Sequence, residues 1–411
     1  MNKTLQNLAW IVAIIAFGVG LIGLYQRLTM GHAAANYGSY VPWGLWVAAY
    51  IYFIGLSAGA FLLSALVYVF QIKLLKPIGK LALFTALVTL AGAMFSIWMD
   101  LGHPLRAWKL MLNTNFGSMM GWMAWLYTLY FALLLVELWF AIRADLAVCA
   151  GEPGFKGSLC KFLAFGRKDI SEAAVANDTK ILRVLGMIGV PLAVAFHGGV
   201  GALFGVVGAR PYWNSGLTPI MFLIGALASG SALLTFVTVI WGPERGSESH
   251  RKLVVFLGQI TLGLLLFDLL LEWAEYSTQM YAAIPAHTES MRLILFGPYW
   301  WVFWIVHLLI GAVVPILLLV FARHNVTAVA TASALIAVTF LSVRLNIVIP
   351  ALAVEELDGL AHAFTGPGLN FNYFPSQMEW LFFIWTVALA GLLFLIGYSL
   401  LPIVTSPRKT A

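Results

Sequence analysis

The residues able to do chemistry in this chain are few, and they fall in small groups. Asp100 is followed three residues on by His103, a spacing that puts both on one face of a helix. Asp268, Glu272 and Tyr276 recur every fourth residue, which makes one polar stripe. His197, His307, Arg344 with Asn346, and Glu137 stand alone in apolar surroundings. Carboxylates and imidazoles accept and pass protons near neutral pH once burial shifts their affinity. The pattern predicts a redox or proton-handling site. The bland alternative is that Arg344 pairs with Asp268 or Glu272 as structural glue. Metal sites need clustered ligands, and the sequence shows none. Cys149 and Cys160 fall in one polar loop without a CxxC or CxxCH pattern. That argues against iron–sulfur ligation, c-type haem and a disulfide framework. His197 and His307 are predicted at different depths, which disfavours a b-type haem.

The elements that must hold these groups are membrane helices. The chain has 411 residues, of which 62% are hydrophobic and 10% charged, and its mean hydropathy is +0.92. Soluble domains carry about 25% charged residues, so lipid must be the solvent here. A bilayer core needs about 20 apolar residues per helix, and about ten stretches qualify. They run approximately over 8–28, 43–70, 79–99, 120–142, 181–207, 217–241, 253–280, 299–321, 327–349 and 380–403. The reading is an all-α integral membrane protein forming one polytopic domain over 1–411. Its core bundles cover about 43–321, with additional helices at 8–28, 327–349 and 380–403. The polar stretch 143–180 has room for a short amphipathic helix.

Charge fixes the orientation. Of 23 Lys and Arg residues, Arg27, Arg106, Lys109, Arg210, Arg292 and Arg344 fall on or towards one side. The rest, from Lys3 to Arg408 and Lys409, collect on the other. The positive-inside rule makes the crowded side cytoplasmic and puts both termini there. The formal net charge of +6 is then topology, and nucleic-acid binding is excluded for want of a basic, aromatic-interleaved face. Counting along the helices at 1.5 Å per residue puts Asp100, His197, Asp268, Glu272 and Arg344 in the outer half. His307 comes out deeper and Glu137 near the inner face. The outward loops 29–42, 101–118, 208–216, 281–297 and 350–379 are rich in Trp, Tyr, Pro and Asn. They read equally as a docking surface or lid and as an interfacial aromatic belt. Small residues run from Gly55 to Ala60 and recur at Gly198, Gly199, Gly201 and Gly205, predicting close helix approach.

Several sequence runs resemble the NrfD family, which includes the polysulfide reductase membrane subunit. They are Pro42-Trp43-Gly44 with Tyr50 and Gly55-Leu56-Ser57-Ala58-Gly59, and Asp100-Leu101-Gly102-His103-Pro104-Leu105-Arg106-Ala107-Trp108. Next come Arg210-Pro211-Tyr212-Trp213-Asn214, Pro219, Ala228-Ser229-Gly230, and Trp304 with Gly311 and Pro315. Arg344-Leu345-Asn346 and Tyr373-Phe374-Pro375-Ser376 with Glu379 are similar to a ten-helix branch, which includes hydrogenase-2 and sulfite-reduction-complex membrane subunits. The resemblance implies four-helix bundles in the prokaryotic cytoplasmic membrane. It implies a subunit that binds menaquinone or another quinone near the periplasmic face and carries no haem or iron–sulfur group itself. A periplasmic ferredoxin-like iron–sulfur subunit would exchange electrons with the quinone. A further redox subunit of molybdopterin, multihaem cytochrome or hydrogenase type would complete an oxidoreductase whose terminal active site is not on this chain.

By the same resemblance Tyr50 and His197 fall at quinone-contacting positions, and Asp100 near an acidic proton-handling one. Asp100, His103 and His197 suit the handling of ring protons. Trp98, Trp108, Trp122 and Trp125 are expected to wall the ring. Glu137, Asp268, Glu272, His307 and Arg344 are expected to extend a proton path across the membrane. Two other readings stand beside this one. A secondary transporter or other ion-translocating protein would show paired repeats with broken helices, and none is evident. A cofactor-free membrane anchor would have no need of buried carboxylates.

Overall fold

The computed structural model describes residues 3–404. Arg408 and Lys409, counted above with the cytoplasmic cations, lie outside the described residues. Among the described residues ten helices have bilayer-spanning length: α1 Lys3–Met30, α2 Leu45–Tyr68, α3 Gly79–Asp100, α4 Met119–Cys149, α5 Glu172–Gly205, α6 Thr218–Trp241, α7 Glu248–Ala282, α8 Val302–Phe321, α9 Val326–Leu352 and α10 Gln377–Leu400. Nine are also apolar enough to cross a membrane. The other, α4, matches them in length but carries Glu137, Arg143 and Asp145 as well as three tryptophans. The protein is an all-helical, multi-pass membrane protein.

Helices α2 to α5 form one four-helix group and α6 to α9 a second. Helix α2 belongs to both, packing on α6 and α9, and α1 pairs with α10 against α3. Hydrophobicity alone cannot order helices in lipid, so small residues set the close contacts. Gly59 and Gly230 meet where α2 crosses α6. A Cβ built at Gly230 would stand 2.5 Å from Gly59 Cα. Gly20 and Gly23 let α1 lie against the backbone of Trp385 and Phe382 on α10. The expectation for α5 divides: Gly201 abuts Pro219, whereas a Cβ at Gly198 would meet nothing within 4 Å. Gly230→Val is expected to push α2 and α6 apart, at about 1–3 kcal/mol or more for overpacking. Its measured thermal midpoint should fall well below that of Gly198→Ala. Equal midpoints would show that the crossing tolerates a side chain.

Polar caps fix where helices start. Ser171, Ser247 and Asn325 accept from backbone N–H groups at the first turns of α5, α7 and α9. Ser376 and Glu379 form a capping box on α10. The predicted amphipathic piece is the helix Phe155–Leu163. Within the same segment Arg143 is buried and donates to Asp178 Oδ2 at 2.6 Å and to the Asp169 carbonyl at 2.6 Å. Cys149 and Cys160 are joined by a disulfide, which corrects the expectation drawn from their lack of a motif. The turn between α4 and Phe155–Leu163 brings their Cα atoms to 5.8 Å, a bonding separation.

Candidate functional site

Three polar groups stand apart in the molecule, and α2 runs between two of them. In the first, His197 of α5 is buried and its Nε2 lies 3.0 Å from the Ile54 carbonyl of α2. A carbonyl only accepts, so Nε2 carries the hydrogen and Nδ1 presents a lone pair. Among the described residues Nδ1 has no hydrogen-bond partner, and neither does the buried Tyr127 hydroxyl. Around them is an aromatic shell. Tyr50 stacks on Tyr127 at 5.9 Å, Tyr127 meets Phe196 edge-on at 5.0 Å, and Phe196 meets His197 edge-on at 5.2 Å. Tyr130 completes the shell and is tied to Ser57 at 3.4 Å. Two buried polar atoms thus stand without partners within aromatic walls.

The structure separates this shell from the other predicted ring contacts. Helix α3 ends at Asp100. Leu101 is extended, and Pro104 starts a short 3₁₀ turn, so Asp100 and His103 do not share a helical face. Asp100 is half-buried and His103 exposed. Trp122 is 49% exposed, with its indole N–H donated to the Phe116 carbonyl. Trp108 and Trp125 are exposed as well, and Trp98 donates to Pro104. Among the described residues no hydrogen bond, ion pair or ring contact joins Asp100, His103 or Trp122 to Tyr50 or His197. The wall is built from tyrosine and phenylalanine in place of the expected tryptophans. Interfacial tryptophans gravitate to the headgroup level, where a polar N–H is satisfied.

The second group lies on the other side of α2. Asp268, Glu272 and Tyr276 of α7 face one cavity with His307 of α8, Arg344 and Asn346 of α9, and Tyr212. Its free volume is about 20 Å³, room for roughly one water. His307 Nε2 and Glu272 Oε2 are 2.8 Å apart, so His307 stands level with the carboxylates and not deeper. Helix α7 has 35 residues, about 50 Å of helix against a core of about 30 Å, so counting inward from its end misplaces depth. Residues 302–313 of α8 are also wound as a π-helix, a form frequent at functional sites that sequence periodicity does not reveal. The alternative of an Arg344 ion pair with Asp268 or Glu272 is not met among the described residues. The guanidinium lies over the rings of Phe222 at 5.0 Å and Phe340 at 5.2 Å. Asp268 Oδ2 and Arg344 Nε are buried without partners among the described residues. Arg344 fits because Gly225 is bare: a Cβ there would stand 2.9 Å from Nη2. Glu137 is remote from this cavity. It is buried on α4 beside Gly189 of α5, with Oε1 unpaired.

The third group was not foreseen. Arg27 of α1 donates to the carbonyls of Met99 and Leu101, both at 2.8 Å, capping α3 beside Asp100. Its Nη2 also donates to His32 Nε2 at 2.8 Å, and His32 Nδ1 is hydrogen-bonded to Tyr37. Glu379 is fully buried and accepts from the N–H groups of Asn36 and Ser376 and from the Tyr373 hydroxyl. Burial, with help from Arg27, holds His32 below the ordinary histidine value of 6.5. A group depressed in this way binds fewer protons folded than unfolded. Its stabilisation is therefore present above about pH 6.5 and lost as pH falls through the folded value. Acidification from about pH 7.5 to about pH 5 is expected to lower the thermal midpoint, and His32→Gln to flatten that slope. Equal slopes in both proteins would count against it.

Comparison with known proteins agrees with this architecture. The family model for polysulphide reductase, NrfD, matches residues 34–355. The chain belongs to the NrfD family. It is 38% identical over 400 residues to a selenate reductase subunit of Mesobacillus selenatarsenatis, covering 95% of this chain and 93% of that relative. It is 28% identical over 405 residues to the Hdr-like menaquinol oxidoreductase integral membrane subunit of Archaeoglobus fulgidus, covering 96% and 93%. A polysulfide reductase polypeptide of Wolinella succinogenes is 24% identical over 291 residues, and that match covers 70% of this chain and 85% of the relative. This NrfD-family protein therefore aligns over nearly its whole length with the first two relatives and over a shorter part with the third. Helices α1 and α10 lie outside the NrfD match, and α10 carries the Glu379 anchor.

Proposed function

We propose that this chain is the quinone-interacting subunit of a multi-subunit respiratory oxidoreductase in the prokaryotic cytoplasmic membrane. It exchanges electrons between a menaquinone-type quinone and a periplasmic iron–sulfur partner. A further molybdopterin, multihaem or hydrogenase-type subunit carries the terminal chemistry. The observation that carries the reading is His197, a buried imidazole whose Nε2 is fixed by a carbonyl and whose Nδ1 lone pair is free inside an aromatic shell. Oxidation of a bound hydroquinone releases two electrons to a partner and two protons to nearby bases.

His197 would accept one ring hydroxyl at Nδ1, and the Tyr127 hydroxyl would hold the opposite oxygen. Tyr50, stacked on Tyr127, would form one wall of the slot. Asp100 and His103 serve proton release at the outer surface and are not ring contacts. The cavity of Asp268, Glu272, His307 and Arg344 sits across α2 from His197, and with Glu137 nearer the inner face it forms the proposed proton route. The relatives named for menaquinol oxidation and selenate reduction support the class of reaction.

The test is extraction of the purified complex. About one quinone per chain, with an iron–sulfur subunit co-purifying, is the expected result. No quinone and no redox partner would return the protein to the transporter reading.

A further inference from the structure

A second, larger cleft lies on the lipid-facing side of α8 and α9. It has a volume of about 440 Å³ and is bounded by α8, α9, the segment 372–375 and Trp380 of α10. It runs along α9 from Val338 to Pro350, about 18 Å at the helical rise. Val338 at its inner end is 69% exposed, and Trp301 and Phe374 flank it on the bilayer side, so it opens sideways into lipid.

Its buried polar side chains are accounted for, with one exception. Thr339 donates to Leu335 at 2.7 Å, Ser342 to Thr339 at 2.6 Å, and Tyr373 to Glu379. Asn346 is 5% exposed, and its side-chain amide has no hydrogen-bond partner among the described residues. That amide is not sealed off by its neighbours, so it is free to meet a ligand group in the space it lines. Asn346 also lines the inner cavity with Asp268, Glu272, His307 and Arg344, and it is common to both spaces.

We infer that this cleft is a second binding site for an isoprenoid quinone, with a ring oxygen on the Asn346 amide and the tail lying along α9 towards Val338. The inference rests on the proposal that the protein handles quinones. The chemistry of the lining selects the occupant. No Lys or Arg lines the cleft to hold a phosphate, whereas Tyr299, Trp301 and Trp380 offer flat faces to a ring. The amide can donate to a carbonyl or accept from a hydroxyl, so it serves both oxidation states. A ring held at Asn346 would be one side chain away from the Glu272–His307 pair.

The test is photolabelling of the purified complex in nanodiscs with an azido-quinone, read by peptide mapping. The wild type should be labelled within 338–350 or 372–380. Asn346→Leu should reduce that labelling about tenfold, the loss of one hydrogen bond to a buried amide. Leu345→Trp, which fills the cleft but keeps the amide, should do the same with an unchanged thermal midpoint. His197→Ala should leave cleft labelling intact and abolish labelling on α2 and α5. Label confined to α2 and α5 in the wild type would overturn the inference and leave the proposed function standing. Absence of label anywhere would sink both. Cleft labelling that survives both cleft variants, or that excess phosphatidylglycerol displaces as well as unlabelled quinone does, would make it a lipid crevice.

Discussion

A complex carrying His197→Ala is expected to retain less than about a tenth of the wild-type quinone and to lose quinol oxidation by on the order of 100-fold, the range for removing a positioned acid or base. Nε2 is held by the Ile54 carbonyl at 3.0 Å, so the ring cannot turn to satisfy Nδ1 elsewhere. Alanine removes the lone pair, opens a void beside Phe196 and frees the carbonyl. Because a void also costs stability, His197→Gln is the sharper variant, since its amide can still bond Ile54 while the imidazole base is gone. Quinone is measured by extraction and turnover by quinol oxidation, each alongside the thermal midpoint. A His197→Gln complex with full quinone and full turnover would show that the shell is only packing.

Arg344→Met is expected to lower turnover in proteoliposomes by on the order of 100-fold, about 2.7 kcal/mol of barrier, with a smaller loss for Arg344→Lys. Charges within a bilayer core are costly and persist where they have a partner or a task. Arg344 is 2% exposed and shares its cavity with Asp268 and Glu272, yet it touches neither within ion-pair distance. Its charge offsets those carboxylates through space and through any water the cavity holds. Lysine would keep the charge but lose the planar stacking on Phe222 and Phe340. If Arg344 were glue alone, Arg344→Met would lower the thermal midpoint and leave turnover per folded complex unchanged. Loss of turnover at an unchanged midpoint is the functional signature.

Much of this architecture was legible in the sequence because lipid permits few solutions. Every backbone group must be satisfied within its own span, so hydropathy reports the spanning helices. The Asp268–Glu272–Tyr276 stripe was legible for the same reason, since four-residue spacing on a helix leaves little doubt about a shared face. The Asp100–His103 pair failed because the same spacing was applied past the end of α3, where Leu101 and Pro104 break the helix. Arg27 had no local signal, and the run with Tyr373 and Glu379 carried a family likeness but no role. They act on partners far away in the sequence, as when Tyr373 accepts from the backbone N–H of Leu45 at 2.8 Å.

By itself the sequence determined the class, the spanning helices and the short set of polar residues that lipid makes expensive. Only the tertiary structure decided how those residues divide. It placed His197 with Tyr50 and Tyr127 on one side of α2, and Arg344 with Asp268, Glu272 and His307 on the other. It also set Asp100 apart beneath Arg27. The physical reason is that helix packing in lipid is governed by close approach at small residues such as Gly59, Gly230, Gly55 and Gly225. Which glycine meets which neighbour is a property of two helices at once, and no single stretch of sequence contains it.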